Sequence, residues 1–109
     1  MSDSVIVNHF IDVLALADLP ENGQRVVNNG YRRILLCREG EHLFALEDLC
    51  PHAYQSLAGG VVRDGVIRCP RHGACFNLSN GLPTNTVSKQ PVKVFGVRIR
   101  QGRIEVNLG

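Results

Sequence analysis

Two short runs, Cys50-Pro51-His52 and Cys69-Pro70-Arg71-His72, restrict what this chain can become more than any other feature. Each pairs a thiol with an imidazole, one residue apart in the first and two apart in the second. Sixteen residues, 53 to 68, separate the pairs. Within that interval, Val61-Val62-Arg63 and Val66-Ile67-Arg68 flank Asp64-Gly65, a two-residue turn of type I′ chemistry. An antiparallel ribbon brings its ends back together, so the spacing predicts two loops that face each other across ~4.8 Å strand pairing. Two thiolates and two imidazoles make a ligand set for a soft or borderline metal. Pro51 and Pro70 each follow a cysteine and restrict the backbone there. Gly73 follows His72 where a tight turn calls for positive φ. Backbone N–H groups of such turns can point at a negatively charged cluster sulfur and stabilise it.

The rest of the chain reads as short strands broken by turns. Phe10 to Leu14 is a first strand, and Ala15 to Gly23 a short helical turn stopped at Pro20. Gln24 to Asn28, Tyr31 to Arg38 and His42 to Glu47 follow, with turns at Asn29-Gly30 and Glu39-Gly40. These four strands are expected to form one antiparallel meander. Ala74 to Leu78 is a short strand after the second loop, and Leu82 to Gln90 a loop containing Pro83. Val92 to Arg100 and Arg103 to Leu108 form a last hairpin around Gln101-Gly102. The expected fold is all-β. An antiparallel sandwich or barrel base (1–46 and 79–109) carries an inserted cluster-binding subdomain (47–78) made of a hairpin and two ligand loops.

A length of 109 residues fits one domain, 1–109, able to bury a core without disulfides. Trp is absent and aromatics are 6%, so aliphatic residues must dominate that core. The net charge of +2 and the scattered Lys and Arg argue against nucleic-acid binding. Residues 1 to 9 lack a signal-peptide pattern, and no apolar run reaches the ~20 residues of a membrane span. A cytoplasmic location is expected. In that reducing compartment, clustered cysteines point to metal or catalysis rather than disulfides.

Cys50-x-His52 with Cys69-x-x-His72, followed by Gly73 and Phe76, resembles the Rieske 2Fe–2S motif. The stretch from Pro70 to Gly81 is similar to the small Rieske-type ferredoxins of bacterial aromatic-ring-hydroxylating dioxygenase systems. The resemblance implies one 2Fe–2S cluster. Cys50 and Cys69 would bind an inner ferric iron, and His52 and His72, through Nδ1, an outer iron near the surface. It also implies a monomeric one-electron carrier between a flavin-containing NAD(P)H-dependent reductase and a terminal oxygenase. Pro51, His52, Ala53, Tyr54, Arg71, His72 and Gly73 would form the docking face. Arg71 is either a contact to a partner carboxylate or a solvated arginine. The 82–91 loop would cover one side of the cluster.

Departures from the high-potential Rieske proteins of respiratory complexes matter as much. Gln55 and Arg71 stand where those proteins place a loop-joining disulfide. Ala74 and Phe76 stand where they place serine and tyrosine hydroxyl donors to sulfur. Losing such donors destabilises the reduced, more negative cluster, which sets the expected potential near the low end of the Rieske range, roughly −150 mV.

Other readings are weaker. Zinc also takes a Cys₂His₂ set, but a one-residue Cys-x-His spacing is not that of a zinc finger. A Rieske oxygenase needs a second, mononuclear iron site, for which only His9 and His42 remain, on separate segments. The alternative is a structural or regulatory role, as the small Rieske subunit of a nitrite-reductase-like or other oxidoreductase complex. Cys75 is expected to be a buried packing residue, Cys37 a strand residue in the core or on the sheet, and His9 and His42 surface residues.

Overall fold

The computed structural model describes residues 10–30 and 32–108. Nine strands are described: β1 (Phe10–Ala15), β2 (Gln24–Asn29), β3 (Arg32–Glu39), β4 (His42–Glu47), β5 (Val61–Arg63), β6 (Val66–Arg68), β7 (Cys75–Asn77), β8 (Val94–Arg100) and β9 (Arg103–Asn107). A single 3₁₀ turn, Leu16–Asp18, follows β1. Six strands in the order β1-β9-β8-β4-β3-β2 form a nearly closed antiparallel barrel. The other three, β5-β6-β7, form a small separate sheet.

The expected four-strand meander is only partly present. β2, β3 and β4 are consecutive neighbours, whereas β1 lies beside β9, with Phe10 opposite Asn107. The reason is that a short apolar run such as Phe10–Ala15 specifies a strand but not its partner. Here the pairing is supported by Arg103, which donates to both oxygens of Asp12 at 2.8–3.0 Å. That guanidinium holds the Asp12 carboxyl below its ordinary pKa. β2 also runs one residue past the expected Asn28, because Asn29 pairs with Arg32; the expected start of the next strand, Tyr31, lies outside the described residues.

β3 is the shared wall of two cores. Its Leu35 and Cys37 pack with Leu46, Leu57, Ile67, Phe76 and Leu78, between the barrel and the small sheet. Its Ile34 and Leu36 face the other way, onto Leu19, Ala45, Phe95, Ile104 and Val106 inside the barrel. A strand buried on both faces reads as an unbroken apolar run, which is what Ile34 to Cys37 shows.

Polar side chains fasten the small sheet from the barrel side. Glu39 accepts hydrogen bonds from the Asp64 and Gly65 N–H groups at 2.7 and 2.8 Å. Those two residues have φ of 54° and 76°, as a type I′ turn requires. The Gln24 side-chain amide donates to the Gly60 carbonyl at 2.6 Å and accepts from the Gly59 N–H at 3.0 Å.

Gly81 closes the connection behind β7. Its φ is +78°, and a Cβ there would collide with the Val92 carbonyl oxygen. Both features forbid a side chain, since the obstacle is backbone. Gly81→Ala is expected to lower stability by about 2–4 kcal/mol. The check is the shift of the urea midpoint at constant slope.

Candidate metal centre

The two ligand loops are built to one pattern. The Cys50 N–H donates to the Gln55 carbonyl at 2.6 Å, and the Tyr54 N–H donates back to the Cys50 carbonyl at 2.7 Å. Nineteen residues on, the Cys69 N–H donates to the Ala74 carbonyl at 2.7 Å, and the Gly73 N–H to the Cys69 carbonyl at 3.1 Å. In each loop the residue four after the cysteine takes positive φ: Tyr54 at 55° and Gly73 at 75°. Glycine adopts this freely, while a bulky residue does so against a cost of order 1–3 kcal/mol. Sequence reasoning anticipates Gly73 but not Tyr54, whose side chain is 77% exposed.

These loops sort the four predicted ligands by depth. Cys50 and Cys69 are buried, and His52 and His72 are exposed. The two imidazoles meet edge to face with ring centroids 5.3 Å apart. The two thiols lie within interaction distance of each other. Burial pushes the Cys50 thiol pKa up. The His52 and Ala53 N–H groups, directed at its sulfur, pull the other way, while neighbouring Cys69 raises it further.

Among the described residues, no three His, Cys, Asp or Glu side chains converge as a mononuclear metal site requires. What converges instead is an inner thiol pair and an outer imidazole pair. That donor set fits two metals with two ligands each better than one tetrahedral zinc.

Asp48 is the main residue that sequence reasoning misses. Its carboxylate is fully buried two residues before Cys50. Oδ1 accepts from the Leu57 and Ala58 N–H groups at 2.8 and 2.9 Å. Oδ2 accepts from Ser56 Oγ at 2.7 Å and from Arg33 Nη2 and Nε at 2.9 and 3.3 Å. One side chain thus closes the segment after the first ligand loop and ties it to β3. Asn85 does related work for the second loop. Its Nδ2 donates to the Gly73 carbonyl at 2.9 Å, and its Oδ1 accepts from the Cys75 N–H at 3.2 Å. The Thr84 N–H donates to the Cys75 carbonyl at 2.9 Å, so the 82–91 segment is pinned to β7 and the second loop.

The remaining candidates separate clearly. Cys37 is in the core, where burial pushes its thiol up to about 12. Cys75 is only half-buried, which corrects the packing-core expectation: its Sγ–H donates to the Gly73 carbonyl at 3.5 Å. His42 is exposed and stacks on Phe44. His9 lies outside the described residues. Of the expected docking set, His52, Tyr54, Arg71 and His72 are exposed, while Pro51, Ala53 and Gly73 are half-buried. All four cysteines are free. Ala74 and Phe76 are completely buried and carry no hydroxyl.

An all-β scaffold presenting two matched Cys/His loops, thiols inward and imidazoles outward, is suited to a thiolate–imidazole metal centre. The comparisons agree. The family model described as the Rieske [2Fe-2S] domain matches residues 9–96. The anthranilate 1,2-dioxygenase ferredoxin subunit of Burkholderia cepacia is 39% identical over 80 residues, covering 73% of this chain and 74% of that one. Ferredoxin CarAc of Metapseudomonas resinovorans is 34% identical over 98 residues, covering 89% and 92%. A solved complex of reduced oxygenase and oxidized ferredoxin in carbazole 1,9a-dioxygenase contains a chain that superposes with a TM-score of 0.84. It is 32% identical, and the match covers 93% of this chain and 94% of that one. The chain belongs to the Rieske [2Fe-2S] domain family.

Proposed function

We propose that this chain is the Rieske ferredoxin of an aromatic-ring-hydroxylating dioxygenase system, with Cys50, Cys69, His52 and His72 as its four ligands. A bound 2Fe–2S cluster supplies one-electron redox chemistry. The chain's own residues hold it, expose one edge of it and set its potential. The thiols sit inside, where N–H groups of His52 and Ala53 face the Cys50 sulfur. The observation that carries the reading is the His52–His72 edge, two imidazoles 5.3 Å apart on the exterior above buried cysteines. A partner can approach that edge closely, as transient redox contacts require.

Residues 47–78 act as the cluster-binding unit on a base of 1–46 and 79–109. Electrons come from a flavin-containing NAD(P)H-dependent reductase and go to a terminal oxygenase, and the ferredoxin works as a cytoplasmic monomer. No described helix is long and apolar enough to cross a membrane. The ferredoxin carries electrons and is not itself catalytic; oxygen chemistry belongs to the oxygenase. The test is reconstitution with the reductase and terminal oxygenase of an anthranilate or carbazole dioxygenase system. Product formation that depends on added chain supports the reading. NAD(P)H oxidation and product formation that are indifferent to the chain in every such system overturn it.

The potential follows from Ala74 and Phe76. Neither side chain has a hydroxyl to donate to sulfur, so a redox titration is expected to give a value near roughly −150 mV. Ala74→Ser and Phe76→Tyr are expected to raise it, because each restores a hydroxyl donor that favours the reduced state. A native value well above zero, or a fall on adding either hydroxyl, contradicts this account.

A further inference from the structure

Charge is divided unevenly along this chain. Of its ten Asp and Glu residues only Asp64 and Glu105 follow Asp48, whereas eight of its twelve Lys and Arg do. Asp64 is exposed beside Arg63 at 3.9 Å. Along the chain, Arg63, Arg68 and Arg71 lie before or within the second ligand loop, and the nearby acids are Asp64 and Glu39, the latter bonded to the Asp64 and Gly65 N–H groups. Arg68 and Arg71 are both exposed, and among the described residues neither takes part in an ion pair. They line an open cleft of about 520 Å³ together with Val61, His72 and Gly73.

Arg68 is held over the loop rather than extended away from it. A methyl group on Gly73 would lie 2.9 Å from Arg68 Nη2 and 3.3 Å from its Cζ and Nε. Gly73 thus has a second use besides its positive φ: it leaves room for a guanidinium against the loop that carries His72. Val61, 64% exposed, adds an apolar contact on the same cleft. Two unpaired guanidiniums sharing a cleft repel each other, and a carboxylate between them removes that repulsion while accepting bidentate hydrogen bonds.

We infer that this cleft is a carboxylate-receiving docking site, so that the redox partner presents Asp or Glu side chains beside the point where electrons cross. The inference rests on the electron-carrier reading and specifies the partner's surface. Such a site steers encounter electrostatically and loses its effect as salt screens it.

The test uses the holoprotein, reduced anaerobically and mixed with ferricyanide, an anionic oxidant, or tris(phenanthroline)cobalt(III), a cationic one. In Arg68→Glu/Arg71→Glu, the ferricyanide-to-cobalt rate ratio is expected to fall by about tenfold or more at low salt, and less at high salt. A shift of potential moves both rates the same way, so the ratio isolates local charge. Poly-L-glutamate, a carboxylate-bearing polypeptide, is expected to slow oxidation of the native protein but not of the double variant, and poly-L-lysine to slow neither. An unchanged ratio in a variant that keeps the native reduced-state EPR signal overturns the inference, as does indifference to poly-L-glutamate. If the carrier reading itself is wrong, the native protein either yields no reduced species that the oxidants can discharge or fails the reconstitution with reductase and terminal oxygenase, and both show before any variant is compared.

Discussion

Asp48→Ala is expected to destabilise the protein by about 3–5 kcal/mol, a large share of the ~5–15 kcal/mol that holds a domain of this size. The magnitude comes from what the carboxylate leaves behind. The Leu57 and Ala58 N–H groups lose their acceptor, and Leu57 is fully buried. An unsatisfied buried donor costs ~1–3 kcal/mol. Arg33 contributes less to the loss, because its side chain is 52% exposed and water can replace the carboxylate. Asp48→Asn separates the two roles. Its Oδ1 can still accept from both N–H groups, while its amide faces Arg33 with the wrong polarity. It is expected to lose about half as much stability as the alanine variant. Denaturant melts of the three proteins, with iron content of the folded fraction, decide this. Equal loss in both variants places the energy in the ion pair instead. Because Asp48 lies two residues before Cys50, loss of its bonds is also expected to lower cluster occupancy before it unfolds the barrel.

Cys69→Ser and His72→Ala are expected to abolish cluster assembly, lowering metal affinity by more than ~100-fold. Cys69 and Cys50 are the two buried thiols of the matched loops, and no third thiol has that placement. Cys75→Ser and Cys37→Ala are expected to keep full iron and sulfide. Cys75 is bonded to the Gly73 carbonyl, and Cys37 is in the core with its thiol pKa raised by burial. The pattern is asymmetric in the opposite sense for a cluster held by four thiolates, where losing Cys37 or Cys75 removes a ligand and losing His72 does not. Iron and acid-labile sulfide measured on the four variants distinguish the two.

Much of this arrangement is legible in the residues because it is local. Asp64-Gly65 names its own turn, and the flanking Val and Ile residues form the strands on each side of it. The Cys-Pro pairs and Gly73 announce tight loops, and the unbroken run Ile34 to Cys37 announces a strand buried on both faces. What is not legible depends on residues distant in sequence. Phe10–Ala15 is an apolar run broken only by Asp12, and nothing in it says that its partner is Arg103–Asn107 rather than Gln24–Asn29. Asp48 reads as one acid at the end of a strand, and only the folded loop brings Ser56, Leu57 and Ala58 back to it. Asn85 reads as loop composition until it meets Gly73 and Cys75. Tyr54 shows no glycine to mark its positive φ, so its place in the loop emerges only by superimposing the two hydrogen-bond patterns.

The central claim, that a 2Fe–2S cluster is held by Cys50 and Cys69 within and by His52 and His72 at the surface, is tested most directly by electron–nuclear double resonance on the reduced protein. Strong hyperfine couplings from two histidine nitrogens, lost when either His52 or His72 is replaced, are the predicted result. A reduced cluster with no strong nitrogen coupling, or couplings that survive replacement of both histidines, would contradict it.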